Sequence, residues 1–469
     1  MNRFHLLIDG KLVDGDHTME VLNPATEARV ATCPRASRRQ LDDAVAAADA
    51  AFVAWAALSL DERRRHIAAI ADTIAANADE LAALLTSEQG KPLPDAKGEV
   101  MGMAAFFRAA CALDLPVRVL DDSDARRIEA HRRPLGVVAA IIPWNFPLLT
   151  IAFKTPPALL AGNTIVLKPA PTTPLSTLRF AELVAGLLPP GVLNVVTDND
   201  DLGPAITSHP GIRKVSFTGA IETGQKVMAS ASETLKRLTL ELGGNDAAIV
   251  LDDADPDTIA PAIFRAAFYN SGQICLAIKR LYVHDAIYER LCAALAEVAK
   301  DWPVDEGFKQ GARIGPVQNV RQYEKLKEIL ADVRETGRII TGGRALDRPG
   351  YFIEPTIVAD VAEGTRLVDE EQFGPVLPVI RFSDIDDAVR RANGTRYGLG
   401  ASVWSRDMQR ARAVADRLEA GTVWINKHAE LLPTVPFGGS KQSGIGVEFT
   451  EEGLLEFTQL KIVNSARAA

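Results

Sequence analysis

Two side chains in this sequence have the types and the setting for covalent catalysis. Cys275 closes the segment Asn270-Ser271-Gly272-Gln273-Ile274-Cys275, and Glu241 opens Glu241-Leu242-Gly243-Gly244-Asn245. A thiolate attacks a carbonyl carbon, and a carboxylate takes a proton from water. Together they offer covalent capture followed by hydrolysis. A third group, Asn145 in Pro143-Trp144-Asn145-Phe146-Pro147, carries an amide that can donate to a developing oxyanion or simply satisfy a turn. A free thiol is only slightly ionised at neutral pH. Cys275 is therefore expected to have a depressed pKa, through N–H dipoles or through Glu241 accepting its proton.

Packing is the ordinary role of any one buried cysteine. The other three, Cys33, Cys111 and Cys292, take that reading. None of the four forms a Cys-x-x-Cys pair or has histidines at zinc-ligand spacing, so no metal site is expected. So few cysteines in a long chain point to a reducing cytoplasm.

The elements that must position these groups follow from apolar patterning. Residues 40–57 and 61–89 are Ala-rich with helical spacing; Pro92 and Pro94 close that region, and a helical pattern resumes over Met101–Leu113. Leu135–Phe153 carries no charge and is nearly long enough to span a bilayer, but Pro143, Asn145 and Pro147 break any helix there. A strand over Gly136–Ile142, a loop and a helix over Leu148–Leu160 are expected instead. Strands over 164–168, 193–196, 212–217 and 236–241 then alternate with helices over 174–188, 202–208 and 222–232. A second series has strands over 246–251, 280–283, 376–381, 401–404 and 422–426, with helices over 256–269, 286–300 and 321–335. Such alternation predicts parallel sheets covered on both faces, in two α/β domains with a boundary near residue 242. Ligands of open α/β sheets sit at the carboxyl ends of strands, which places the cleft between the domains.

With 469 residues, 47% hydrophobic and 24% charged, the chain predicts two or three globular domains. A formal charge of −9 argues against nucleic acid as a partner. The N-terminus, Met1 to Gly10, lacks the apolar core of a signal peptide, and no membrane segment is expected.

A Gly-x-Gly-x-x-Gly fingerprint is absent. Phe217-Thr218-Gly219-Ala220-Ile221-Glu222-Thr223-Gly224 instead follows a strand and opens a helix, where free N–H groups suit a pyrophosphate or where glycines merely make a tight turn. Lys168-Pro169 ends another strand, where a lysine can bind ribose or phosphate or can simply be solvated.

Asn145, Lys168, the 217–224 turn, Glu241-Leu242-Gly243-Gly244 and Gly272-Gln273-Ile274-Cys275 stand in the order seen in the aldehyde dehydrogenase superfamily. So do Glu370-Glu371-Gln372-Phe373-Gly374-Pro375 and Pro436-Phe437-Gly438-Gly439-Ser440-Lys441-Gln442-Ser443-Gly444. The chain resembles that superfamily from Asn23-Pro24-Ala25-Thr26 almost to its end. The resemblance implies two doubly wound parallel-sheet domains: a Rossmann-like cofactor domain (1–117 and 135–241) and a catalytic domain (242–449) whose last part is free to return to the first. It also implies a small β oligomerisation arm and tail (118–134 and 450–469) that builds a homodimer or homotetramer.

The same resemblance implies roles. Cys275 is the nucleophile that forms a thiohemiacetal with an aldehyde. The Asn145 amide and the Cys275 N–H form the oxyanion hole, Glu241 activates the water that hydrolyses the thioester, and Lys154 assists proton movement. Cofactor contacts map to Ile141, Ile142, Pro143, Trp144, Lys168, Pro171, Phe217, Thr218, Gly219, Ala220, Gly224, Leu242, Gly243, Gln322, Lys325, Glu371 and Phe373. NAD is expected, with NADP admissible, because Pro171 stands where NAD-preferring members carry a Glu that repels a 2′-phosphate. Ala220 and Asn245 also depart from the usual Ser and Lys. The substrate pocket maps to Phe146, Leu149, Thr150, Phe153, Tyr269, Ile274, Leu276 and Phe437, which suits an uncharged aliphatic or aromatic aldehyde. No Arg occupies these eight positions, which counts against a semialdehyde acid. Two other activities remain open: transfer of the thioester to coenzyme A, and a non-enzymatic binding protein. Glu241 speaks against the first, and the presence of Cys275, Glu241 and Asn145 together against the second.

Overall fold

The computed structural model describes residues 3–467. Its frame is two sheets, one of eight strands and one of seven. The centre of the first is five parallel strands, in spatial order Arg237–Glu241, Ile212–Thr218, Val137–Ile141, Thr164–Lys168 and Leu193–Val195. Every residue of the 137–141 and 164–168 strands is buried, because helices cover both faces. Alternation sorts them: Val137, Ala139 and Ile141 enter one core, while Val138, Ala140 and Ile142 enter the core on the opposite face. The second sheet sorts likewise, with Ala247 and Ile249 on one face and Ala248 and Val250 on the other.

Neither sheet is purely parallel as expected. Leu6–Ile8 and Lys11–Val13 add antiparallel at one edge of the first sheet, and Gly444–Ile445 pairs antiparallel with Arg237–Glu241 at the other. The chain past residue 440 therefore returns to the first sheet. In the second sheet, Arg338–Thr341 pairs antiparallel with Thr356–Ala359. These strands run only two to four residues, too short to show a period in the sequence.

Three further differences have local causes. The helical region 61–89 is two helices, Leu60–Ala76 and Ala78–Gln89, hinged at Asn77. Pro92 and Pro94 do not delay the next helix to Met101; it starts at Leu93 and runs to Ala110, with Pro94 in its first turn. The first-turn N–H groups have no intrahelical acceptor, so proline costs nothing there. The tail over 450–469 is not all strand. Thr450–Leu455 is a short helix, and Thr458–Ala466 is the strand, pairing with Arg126–Pro134, which in turn pairs with Arg118–Asp122. Met1, Asn2, Ala468 and Ala469 lie outside the described residues.

Leu242–Asn245 carries the chain from the last residue of the strand Arg237–Glu241 to the first residue of Asp246–Val250 in the second sheet. Glu241 thus sits at the carboxyl end of its strand, at the crossing between sheets. No described helix is long and apolar enough to cross a membrane.

Candidate active site

A cavity of about 1240 Å³ opens between the two sheets. Cys275, Glu241 and Asn145 all line it. So do all eight pocket positions: Phe146, Leu149, Thr150, Phe153, Tyr269, Ile274, Leu276 and Phe437. Of the positions mapped to the cofactor, Pro143, Trp144, Thr218, Gly219, Ala220, Leu242, Gly243, Gln322, Lys325, Glu371 and Phe373 share its wall. Ile141, Ile142, Lys168, Pro171, Phe217 and Gly224 do not, and neither does Lys154. Lys168 is buried and lies 2.7 Å from the buried carboxylate of Asp198, a partner the sequence did not reveal.

The nucleophile's loop is held in an unusual backbone. The helix Pro256–Phe268 ends, and Asn270, Ser271 and Gly272 follow with φ of 51°, 57° and 69°. Such angles are strained for Asn and Ser and persist only when neighbours over-determine them. Here Ser271 Oγ donates to Gly315 O at 2.8 Å, and Gln273 Nε2 donates to Asn270 O at 3.0 Å. Gln318 N donates to Gln273 Oε1 at 2.8 Å. A Cβ on Gly272 would come within 2.3 Å of Gly374 O, so the loop closes only with glycine.

Asn145 is fixed from several directions. Its Nδ2 donates to Gln273 O at 2.9 Å, and its carbonyl accepts from Lys91 Nζ at 2.9 Å and Asn270 Nδ2 at 3.1 Å. An amide has two N–H groups, so one remains for the cavity that Asn145 lines. Lys91 is itself paired with Glu99 at 2.5 Å, and Glu99 Oε1 accepts from Leu148 N and Leu149 N at the start of the helix Pro147–Ala161. One buried ion pair therefore anchors both the Asn145 loop and the following helix.

Electrostatics run against the expectation for Cys275. Burial pushes the thiol up to about 12, the Lys279 ammonium pulls it down, and Glu241 pushes it up. The resting thiol is protonated, because desolvation outweighs the one favourable charge. Lys279 was not foreseen. Its Nζ donates to Ile274 O and Cys275 O at 2.6 and 2.7 Å, fixing the peptides around the sulfur. Glu241 is also shifted: burial holds its carboxyl well above the usual range, Glu448 adds to this, and Lys154 opposes it. Glu241 Oε1 has no hydrogen-bond partner among the described residues, which leaves it to a water or a substrate.

Glu448 is the second acid that sequence reasoning missed. It lines the cavity and pairs with buried Lys154 at 2.7 Å, and Lys154 Nζ also donates to Ser216 Oγ at 3.2 Å. Gln322 and Lys325 act on a loop rather than standing free. Gln322 Nε2 donates to Gln372 O and Phe373 O, and Lys325 Nζ donates to Glu371 O. They brace Phe373, whose ring meets that of Trp144 edge-on at 5.3 Å.

The cavity's other end fits a dinucleotide. The helix Ile221–Ser232 begins there without a side-chain cap from Ala220, which leaves its positive dipole end open to a pyrophosphate. Buried Thr218 Oγ1 lacks a partner among the described residues. A Cβ on Gly243 would stand 2.2 Å from Glu371 Oε2, so a side chain there would have to push that carboxylate aside.

The family profile described as Aldehyde dehydrogenase family matches residues 12–463. The chain belongs to that family. Phenylacetaldehyde dehydrogenase of Pseudomonas fluorescens is 42% identical over 472 aligned positions, covering 97% of this chain and 94% of the relative. The NADP(+) succinate-semialdehyde dehydrogenase of Escherichia coli strain K12 is 38% identical, covering 98% and 97%. Among solved structures, the NAD-dependent aldehyde dehydrogenase of Sinorhizobium meliloti superposes with a TM-score of 0.96 at 35% identity, covering 100% of this chain and 96% of that one. This aldehyde dehydrogenase is thus an oxidoreductase that oxidises aldehydes with NAD or NADP, on the expected α/β fold.

Proposed function

We propose that this aldehyde dehydrogenase works by covalent catalysis at Cys275 and hydrolyses its thioester with water activated by Glu241. The observation that carries this reading is the convergence of Cys275, Asn145 and Glu241 on one cavity that Phe146, Phe153, Ile274, Leu276 and Phe437 also line. Cys275 Sγ adds to the aldehyde carbon, Glu241 takes the thiol proton, and the carbonyl oxygen becomes the alkoxide of a thiohemiacetal. The free Asn145 N–H and the Cys275 backbone N–H stabilise that oxyanion. The nicotinamide, when bound, supplies the acceptor for the hydride that leaves the same carbon with its electron pair. Thr218, Gly219, Ala220, Glu371 and Phe373 would hold the cofactor, and Lys168 with Pro171 would face its adenosine end. NAD is our reading, with NADP admissible.

The acyl group is then a thioester on Cys275. Glu241 takes a proton as water attacks, the C–S bond breaks, and the thiol regains a proton as the acid leaves. Glu448 and Lys154 lie beside Glu241 and give the proton it collects a charged route away. Lys154 therefore serves proton movement rather than bond making. The aromatic cluster of Phe106, Phe153, Phe437 and Phe449, with neighbouring rings 4.7–6.1 Å apart, favours an aldehyde whose body next to the reacting carbon is aliphatic or aromatic. The expectation of an uncharged substrate rested on eight positions only, and the cavity has other walls.

The sheet of Arg118–Asp122, Arg126–Pro134 and Thr458–Ala466 ends in two outer strands, and Val119, Leu120, Leu460 and Ile462 on them are exposed. Edges of this kind seek partners, and we take this sheet as the seat of a homodimer or homotetramer. Four free cysteines accord with a cytoplasmic location.

The test is absorbance of the reduced nicotinamide on adding hexanal or benzaldehyde. The signal should appear with the wild type and vanish in Cys275→Ala. Coenzyme A should change neither product nor rate. A signal that survives Cys275→Ala would refute the covalent route.

A further inference from the structure

The helix Pro256–Phe268 turns Ala262, Arg265 and Ala266 toward the cavity, and Tyr269 follows just past its end. This is the i, i+3, i+4, i+7 spacing of a single helix face. The Arg265 guanidinium lies 4.9 Å over the Tyr269 ring. Tyr269 stacks on Phe146 with centroids 6.3 Å apart and planes 30° apart. Phe146 adjoins Asn145, whose amide is bonded to Gln273 two residues before Cys275. A ladder of rings therefore leads from the reacting centre to one guanidinium.

That guanidinium is exposed and uncommitted. Among the cavity's other cations, Lys325, Arg396 and Lys427 face Glu370, Glu222 and Glu430 in ion pairs. Lys226, Arg265 and Arg321 have no ion-pair partner among the described residues that line the cavity. Lys226 and Arg321 adjoin the walls of Thr223 and Gln322, on the side assigned to the cofactor. Arg265 alone stands on the side of Tyr269 and Phe146. Asp95 feels its field but lies beyond ion-pair distance. A free Arg at the end of an apolar passage has no structural duty here, and stacking on Tyr269 fixes the plane of its fork.

We propose that Arg265 is an anion subsite at the outer end of the substrate passage, and that the preferred aldehydes carry a carboxylate at the far end of an aliphatic or aromatic body. A carboxylate matches the guanidinium fork with two parallel hydrogen bonds. This rests on the reading of Cys275 as the nucleophile and of its apolar surroundings as the substrate side. It replaces the uncharged substrate expected from the eight mapped positions, because Arg265 lies one helical turn outside them.

The experiment compares kcat/KM for 4-carboxybenzaldehyde and 4-methylbenzaldehyde, a pair of similar shape, in the wild type, Arg265→Gln and Arg265→Lys. The wild type should favour the carboxylate by about tenfold or more, the range of a charge-assisted hydrogen bond. That ratio should fall about tenfold in Arg265→Gln and less in Arg265→Lys. Calorimetry on the cofactor-free protein should find terephthalate bound more tightly than 4-methylbenzoate, with the difference lost in Arg265→Gln. A wild-type ratio near one, or a ratio that Arg265→Gln leaves unmoved, would overturn the subsite. A general loss of fold or activity lowers both rates together and leaves the ratio in place, which also counts against it. Turnover of neither aldehyde by the wild type would overturn the underlying reading along with the subsite.

Discussion

At the scale of the residue, burial disfavours the charged forms of both chemical groups. Desolvation pushes Cys275 up to about 12 and holds Glu241 well above its usual range. Iodoacetamide should therefore label Cys275 of the cofactor-free enzyme slowly at pH 7, with a rate that climbs without a plateau to at least about pH 9, beyond the ordinary thiol value. A plateau below about pH 8 would mean a thiolate already present. Glu241 also couples to stability. Its folded pKa is raised, so the folded state holds more protons than the unfolded one above about pH 4.5. The stability it lends is complete below that value and is lost as pH rises through the folded pKa. Glu241→Gln should thus raise the thermal midpoint more at pH 8 than at pH 5, and an equal effect at both would contradict the shift. Cys275, Glu241 and Asn145 were legible in the sequence because each sits in a compact motif. Glu448, Lys279, Glu99 and Arg265 were not. No compact motif marks them, and Glu448 meets its partner Lys154 only across 294 positions of sequence.

At the scale of the element, precision comes from connections between motifs. The buried Lys91–Glu99 pair holds the Asn145 carbonyl and the first turn of the helix Pro147–Ala161. Glu99→Ala leaves Lys91 buried and alone, which should cost about 3–5 kcal/mol of stability by thermal or urea denaturation. The double variant Lys91→Met with Glu99→Leu should recover much of that loss. Its kcat should stay depressed, because the Asn145 carbonyl has lost one of its two partners and two helix N–H groups have lost theirs. Full activity in the double variant would show that the pair does not position Asn145. The long parallel strands were legible because their all-apolar runs are bounded by turns. The antiparallel edge strands were not, since segments such as Leu6–Ile8 and Gly444–Ile445 are defined by the neighbours they meet. Pro94 misled for a related reason: proline breaks a helix interior but suits its first turn.

At the scale of the whole molecule, the crossing at Leu242–Asn245 brings a carboxylate at the end of one sheet to the same cavity as a thiol in the turn before a strand of the other. No residue of the three-stranded sheet lines this cleft, and the role proposed for that sheet is assembly. Light scattering should find a dimer or tetramer at micromolar concentration, and Leu460→Asp with Ile462→Asp should shift it toward monomer. A monomeric wild type would remove that role. The central claim is the acyl enzyme on Cys275 that Glu241 releases. Intact-mass and peptide mapping of Glu241→Gln, mixed with NAD and benzaldehyde, test it directly. The account predicts an added benzoyl group on the peptide bearing Cys275, with turnover slowed roughly 10²- to 10⁴-fold. Wild-type turnover in that variant with no acyl group on Cys275 would contradict it.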